Sequence, residues 1–270
     1  MKASVSKTHL IGPALEQEQF VPEHLFFYLV KGTMSGYYSG KNYSLQSGEY
    51  GIARKNRLSR QSYAKGNDKV EKIIFVFDEL FLRTFQEKHK IIATHFKSEE
   101  SFLRLAGNEL IPHFIYSLIP YYNDQGEMDK VFFDVKREEL LLILLQLQPG
   151  LSGLFFDYGI PQKIDMEEFM NRNYRFNVSI DRFAYLTGRS LSAFKRDFQD
   201  IFNETPGRWL VQKRLEDAYF LIDKRNKKPS EIYIDLGFEA LSHFSFAFKK
   251  LFGHTPTALA DRKNSSNPQL

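Results

Sequence analysis

The chain contains no cysteine, and that absence removes a disulfide framework, a thiolate metal site and a cysteine nucleophile. A reducing cytosol is the expected home. Long apolar runs are missing as well. Met1 to Phe20 holds no hydrophobic core of signal-peptide length, and no stretch approaches the roughly 20 residues that a membrane helix needs, so neither export nor membrane insertion is expected. The most apolar short run, Leu25 to Val30, is too brief to span a bilayer and reads as a buried strand. Net charge is small, +4 over 270 residues.

Aromatic residues, by contrast, are plentiful. They make up 15% of the chain within a 43% apolar content, which is ample core for one large or two modest domains. The charge is unevenly spread. Residues 171 to 270 carry 17 Lys plus Arg against 11 Asp plus Glu, while residues 1 to 170 carry 20 against 22. A basic half joined to a slightly acidic one suits a surface that faces phosphate on one side only.

Within the basic half the same phrase occurs twice. Phe194, Phe198, Phe202, Thr205 and Pro206 are matched, at a constant offset of fifty, by Phe244, Phe248, Phe252, Thr255 and Pro256. Phenylalanines four apart on an α-helix drift by only about 40° per step, so each trio forms one apolar stripe, and Thr-Pro ends the helix. The six rings are expected to be core. Function must then lie on the opposite faces. In the first copy those positions are Ser192, Arg196, Gln199 and Asn203, with Ala193, Lys195 and Asp200 beside them; in the second they are Ser242, His243, Phe246, Lys249 and Lys250. Apart from Phe246 these are short polar groups, an amide and cations, which suit base edges and phosphate oxygens. A solvated helix face could look the same.

Upstream of each striped helix is a shorter helical signal. Ser179 can cap a helix from Ile180 to about Thr187, after which Gly188 permits a tight turn and Ser190 starts the striped helix. Likewise Pro229 and Ser230 open Glu231 to Leu236, and Gly237 precedes Phe238 and a helix beginning near Leu241. Helix, short turn, helix is the helix-turn-helix pattern, whose second helix lies in the DNA major groove. The two modules span about 178–203 and 229–253.

These residues resemble the DNA-binding domain of AraC/XylS-type transcription regulators over about the last hundred positions. The first module contributes Ser190, Phe194, Arg196 and Phe198; the connecting helix contributes Trp209 and Arg214-Leu215; the second module contributes Gly237-Phe238, Ser242, Phe244, Phe248 and Lys249. The resemblance implies that Arg196 enters the major groove of double-stranded DNA, that the protein is an activator, and that RNA polymerase is a further partner. One position departs from the pattern. Phe246 stands where the family usually carries Arg or another polar residue; an outward Phe can touch a thymine methyl but cannot donate to guanine. Packing of Phe246 against a neighbouring helix or loop is the other possibility.

From Leu25 to Phe77 the language is β: LFFYLVKG, GYYSG, NYSLQSGEYGIA, RLSRQSY and VEKIIFVF, separated by Gly32, Gly40, Gly48 and a Gly66-Asn67-Asp68 turn. Strands at this spacing predict a small sandwich or barrel. The arrangement resembles the cupin-like sensory domain found ahead of the DNA-binding half in such regulators. Metal-binding cupins supply a closely spaced His pair, a carboxylate and a further His. Here only His9 and His24 fall in or before the β stretch and no His-x-His occurs, so neither a metal nor a cofactor is expected, and an enzyme is not. Glu49 reads as a solvated carboxylate. Phe26, Tyr28 and Tyr50 are expected to line the aromatic interior, as ligand contacts or as plain filling.

Helical periodicity follows. Asp78 can cap DELFLRTFQEKH, a second helix is expected over Glu100 to Leu118, and a third over Lys130 to Leu147 holds the dense run Leu140 to Leu145, expected to be buried on all sides. By resemblance such helices form a homodimer contact or lean on the DNA-binding half; intrachain packing is the alternative. Pro149-Gly150, Ser152-Gly153 and Gly159 to Lys163 break the pattern. The domains are therefore drawn as 1–160 and 161–270. Ile164 to Asn171 opens the second, Trp209 to Asp223 is a rod between modules, Arg225, Lys227 and Lys228 are candidate phosphate contacts, and Asn264 to Leu270 is expected to be disordered. The fold expected is α+β: a small cupin-like β-barrel with a helical linker region, then an all-α double helix-turn-helix domain. The function expected is sequence-specific DNA-binding regulation of transcription in the cytoplasm, with a small-molecule or protein effector at the first domain. A ligand- or protein-binding module with vestigial DNA binding stays open as the alternative.

Overall fold

The computed structural model describes residues 7–11, 19–38, 41–63, 70–96, 98, 100–122 and 128–265. The chain divides into two compact units, Met1–Ile160 and Pro161–Leu270. The first is α+β and the second is helical.

In the first unit, strands β1 (Lys7–Ile11), β2 (Phe20–Val21), β3 (His24–Lys31), β4 (Thr33–Tyr38), β5 (Lys41–Gln46), β6 (Tyr50–Ala53), β7 (Arg57–Tyr63), β8 (Glu71–Phe77) and β9 (Phe102–Arg104) form two sheets. One has the order β1-β8-β3-β6-β9 and the other β2-β7-β4-β5. The continuous apolar run of β3 now has its reason. Leu25, Phe27 and Leu29 point to one side, into a core shared with Met34 and Leu45 of the second sheet. Phe26 and, less completely, Tyr28 point to the other, into a core built with helices. A strand buried on both faces carries no alternation.

Those helices are α1 (Glu79–His89), capped by the Asp78 carboxylate on the Phe81 amide, α2 (Leu110–Ser117), α3 (Lys130–Leu147) and the short α4 (Ser152–Phe155). Two expectations need correction. Residues 102–104 are not helical but pair with Gly51 to Ala53 as an edge strand, and helix α2 begins only at Leu110. A Cβ on Gly51 would sit 2.5 Å from the Leu103 carbonyl, so the strand closes over a glycine that helical periodicity in 100–118 cannot reveal. Secondly, the Leu140 to Leu145 run is not buried on all sides: Leu140, Leu141 and Leu144 are, but Leu142 is 42% exposed. The Gly66-Asn67-Asp68 turn and Gly40 lie outside the described residues.

The second unit holds α5 (Met166–Asn173), α6 (Ile180–Leu186), α7 (Leu191–Phe202), α8 (Pro206–Arg225), α9 (Pro229–Ile232), α10 (Leu241–Phe252) and α11 (Pro256–Ser265). Helix α9 is shorter than Glu231 to Leu236 suggests, because the chain turns at Tyr233, with Phe238 N donating to Tyr233 O at 3.0 Å. Helix α11 runs on to Ser265, into the stretch expected to be disordered, and 266–270 lie outside the described residues. Phe194, Phe198, Phe244 and Phe248 are fully buried. Phe202 and Phe252 are half-buried and pack on Trp209 and Tyr219 of α8, with ring centroids 4.7 and 5.0 Å apart. Both modules therefore lean on opposite stretches of one helix.

Candidate nucleic-acid interface

Helices α7 and α10 are each set by a turn of their own. Ser179 caps α6 through the Arg182 amide, and Ser190 caps α7 through the Ala193 amide. Between them Gly188 takes φ +67°, a conformation that costs an L side chain strain. In the second module Gly237 takes φ +82°, and a Cβ there would meet the Arg175 carbonyl at 2.7 Å and the Arg214 guanidinium at 2.8 Å. That guanidinium is the tie between module and scaffold. Arg214 Nε donates to Tyr174 O at 2.7 Å, Nη1 to Gly237 O at 2.9 Å and Nη2 to Phe176 O at 2.8 Å. Burial pulls its pKa down to about 10.

With the rings inside, the opposite faces are open. Ser190, Ser192, Lys195, Arg196, Gln199 and Asn203 are all exposed, as are Ser242, His243, Phe246, Lys249 and Lys250. Several of them are also engaged locally. The Ser190 hydroxyl caps α7 and stands 3.2 Å from the Ser192 hydroxyl, and Asn203 ends α7 in the left-handed conformation at φ 54°. His243 sets its ring edge-on to Phe238 at 5.9 Å. Phe246 is 71% exposed, so in this unit it does not pack against a neighbouring helix or loop; a solvent-facing ring is left on the polar face of α10. A cleft of about 340 Å³ lies beside the polar face of α7, lined by Ile180, Lys195, Gln199, Thr205, Pro206 and Gly207. It opens at the start of α8, where the Thr205 side chain makes no capping bond. Arg225, Lys227 and Lys228 are exposed at the end of α8 and in the loop that follows.

The sequence pattern missed a pair of residues beside Arg196. Asp197 and Arg189 bond to each other, and Asp197 bonds to Arg196, although Arg189 precedes the helix and Asp197 lies off its polar face. Their only trace in the sequence is that the second copy replaces both, with Ala247 and Glu239.

In the first unit the three aromatic positions are together but not where they were expected. Phe26 and Tyr50 are buried, Tyr28 stacks on Tyr50 at 6.1 Å, and Phe26 meets Phe75 edge-on. They face the helices, whereas the space between the sheets is filled by Leu25, Phe27, Leu29, Met34 and Leu45. Strand parity decides this, and a strand apolar on both faces conceals its parity. The Tyr50 hydroxyl is already engaged, donating to Ala106 O at 2.9 Å and accepting from Asn108 N at 2.8 Å. Glu49 is bound rather than merely solvated: it accepts from the Gln46 amide at 2.7 Å and pairs with Arg104 at 3.1 Å. His24 is buried, and burial followed by the Lys55 and Arg54 charges lowers its pKa to about 3. Among the described residues, no helix is long and apolar enough to cross a membrane.

Two family models match the chain, one within each unit. A model described as the ExsA N-terminal regulatory domain matches residues 24–152, and a helix-turn-helix domain model matches residues 183–262. The chain is 24% identical over 269 residues to the thermoregulatory protein LcrF of Yersinia pestis, covering 94% of each. It is 24% identical over 247 residues to the virulence regulon transcriptional activator VirF of Yersinia enterocolitica, covering 86% of each. Among solved structures, apo ToxT from Vibrio cholerae aligns over 90% of both chains at 13% identity with a TM-score of 0.41. A regulatory-domain match over the α+β unit and a helix-turn-helix match over the helical one, joined in relatives aligned almost end to end, show that the chain belongs to the AraC family of DNA-binding transcription regulators.

Proposed function

We propose that the protein is a cytoplasmic transcription activator that reads successive major grooves of one DNA face with α7 and α10, under control of its first unit. The observation that supports this most is the sidedness of the two helices. Both bury a phenylalanine stripe on α8 and leave every polar or cationic candidate in solvent. A single connecting helix carrying both modules suits recognition heads about 34 Å apart, one duplex turn. Arg196 is assigned to a base edge, with Ser192 and Gln199 beside it. Lys195, Lys249 and Lys250 suit phosphates, and Phe246 a thymine methyl. The first unit receives the signal, a small molecule or a protein, and contributes a homodimer contact through α3, where Val131, Val135 and Leu142 are exposed along one side. RNA polymerase is the expected recipient of the output.

Selection from a randomised duplex library with the full chain tests this reading. The expected product is an enriched sequence with two conserved blocks about one helical turn apart. Recovery of unenriched duplex would favour the alternative, a sensory module whose DNA binding is vestigial.

A further inference from the structure

The exposed guanidinium of Arg196 is held from one side. Its Nη2 donates to Asp197 Oδ1 at 3.0 Å, while Asp197 Oδ2 accepts from Arg189 Nε at 3.2 Å. The Arg189 side chain is only 8% exposed. Its Nη1 donates to the carbonyls of Thr187 at 2.8 Å and Ile164 at 3.0 Å. Ile164 belongs to the segment by which the chain enters this unit, and that segment is seated hard on the turn. A Cβ on Gly188 would lie 2.4 Å from the Gln162 carbonyl carbon, and Lys163 Nζ stands 3.8 Å from Asp197 Oδ2. Linker carbonyl, buried arginine, carboxylate and exposed arginine thus form one unbroken polar chain.

The internal repeat supplies an independent observation. At the constant offset of fifty, Arg189, Arg196 and Asp197 become Glu239, Phe246 and Ala247. All three change together. A carboxylate needed only to brace a helix-turn-helix turn would be wanted in both copies. A set that serves an arginine has no use where that arginine is a phenylalanine.

We propose that Asp197 is a positioning residue for base reading by Arg196, and that Arg189, gripping the linker at Ile164, holds Asp197 in place. The proposal rests on the assignment of Arg196 to a base edge. A long side chain loses rotamer freedom when it docks. Restricting it beforehand through one hydrogen of Nη2 leaves Nη1 for a guanine acceptor, in a plane fixed by the carboxylate. Hydrogen bonds from Arg196 and then Arg189 hold the Asp197 carboxyl below the usual carboxylate range, which keeps the anchor charged. Its negative charge also opposes phosphate, so the arrangement favours discrimination at the expense of general affinity.

The test uses the full chain as Arg196→Ala, Asp197→Asn, Arg189→Lys and the Arg196→Ala/Asp197→Asn double variant. Affinity is measured for the selected duplex, for each single base-pair change in it, and for random duplex. Trp209 fluorescence on unfolding monitors the fold. Arg196→Ala is expected to flatten the preference at one base pair. Asp197→Asn should flatten the same base pair several-fold, with random-duplex affinity unchanged or raised, and should add nothing in the double variant. Arg189→Lys keeps its charge but reaches either the linker carbonyl or Asp197, not both, and is expected to weaken the same preference. If Asp197→Asn lowers selected and random binding alike with every preference intact, or changes neither, the positioning role is overturned. If Arg196→Ala itself leaves all preferences intact, it is the base-edge assignment that fails.

Discussion

Arg214 is the residue on which both halves of the DNA-binding unit are pinned, and replacing it with methionine isolates what the guanidinium contributes. Methionine keeps much of the packing volume and none of the hydrogen bonds. Three carbonyls lose a donor at 2.7–2.9 Å, although Phe176 O keeps the Val178 amide at 3.1 Å. That leaves the Tyr174 and Gly237 carbonyls deprived of a charged donor. At about 1–3 kcal/mol for each buried acceptor left without a partner, the cost is about 4 kcal/mol. The energy of desolvating the cation, visible in its lowered pKa, is recovered in the variant and keeps the figure from being larger. For a unit of this size the loss corresponds to roughly 15 °C in Tm. Arg214→Lys retains a cation but cannot fork to three acceptors, and should fall between the two. Trp209, the chain's single tryptophan, packs on Phe198 and Phe202 at 5.5 and 4.7 Å, so its fluorescence follows unfolding of this unit specifically. A methionine variant within about 1 kcal/mol of the native protein would show that the three bonds do not hold the turn to the scaffold.

Three further outcomes follow from the same geometry. Changing Lys249 or Lys250 to alanine should lower the slope of log affinity against log salt by about one for each phosphate the side chain neutralises, and a slope unchanged by either substitution removes both lysines from the backbone-binding set. Phe246→Ala should weaken binding to the selected duplex while leaving that slope alone; a changed slope or undiminished affinity contradicts an apolar base contact. Glu23 is pushed up to about 7 by burial and then by Asp78 and Glu79, with Lys55 opposing. The folded state therefore holds its proton more tightly than the unfolded chain, and the stabilisation is full below about 4.5 and lost as pH rises through about 7. Glu23→Gln should accordingly gain about 1 kcal/mol on the native protein between pH 5 and pH 8, a figure reduced for solvent screening of a half-exposed carboxyl. His24, driven the other way by burial, is common to both proteins and cancels in the difference; parallel urea midpoints at the two pH values would refute the Glu23 effect.

What the sequence showed best was whatever repeats or caps. The phenylalanine stripes, the serines at 179 and 190 and the glycines at 188 and 237 each carry a local physical requirement, and all stand where it is met. Helices α1, α3 and α7 could be bounded from the chain alone for the same reason. Legibility failed where the deciding neighbour is distant in sequence. Residues 102–104 form a strand only because Gly51 to Ala53 lies alongside. Strand parity turns Phe26 and Tyr50 toward the helices rather than the second sheet, and a doubly buried strand hides that parity from the sequence. Of the candidate interface, the exposure of its residues was readable as the complement of the stripes. The Arg189–Asp197–Arg196 chain was not, since the residues that matter to one another come from a linker, a turn and a helix flank.

The proposed mode of DNA reading requires α7 and α10 to meet one face of one duplex at matched spacing. Hydroxyl-radical footprinting of the full chain on its selected duplex measures this directly. Two protected patches about 10 base pairs apart on the same face are predicted, the first disturbed by Arg196→Ala and the second by Phe246→Ala. A single patch, or two patches on opposite faces of the duplex, would contradict it.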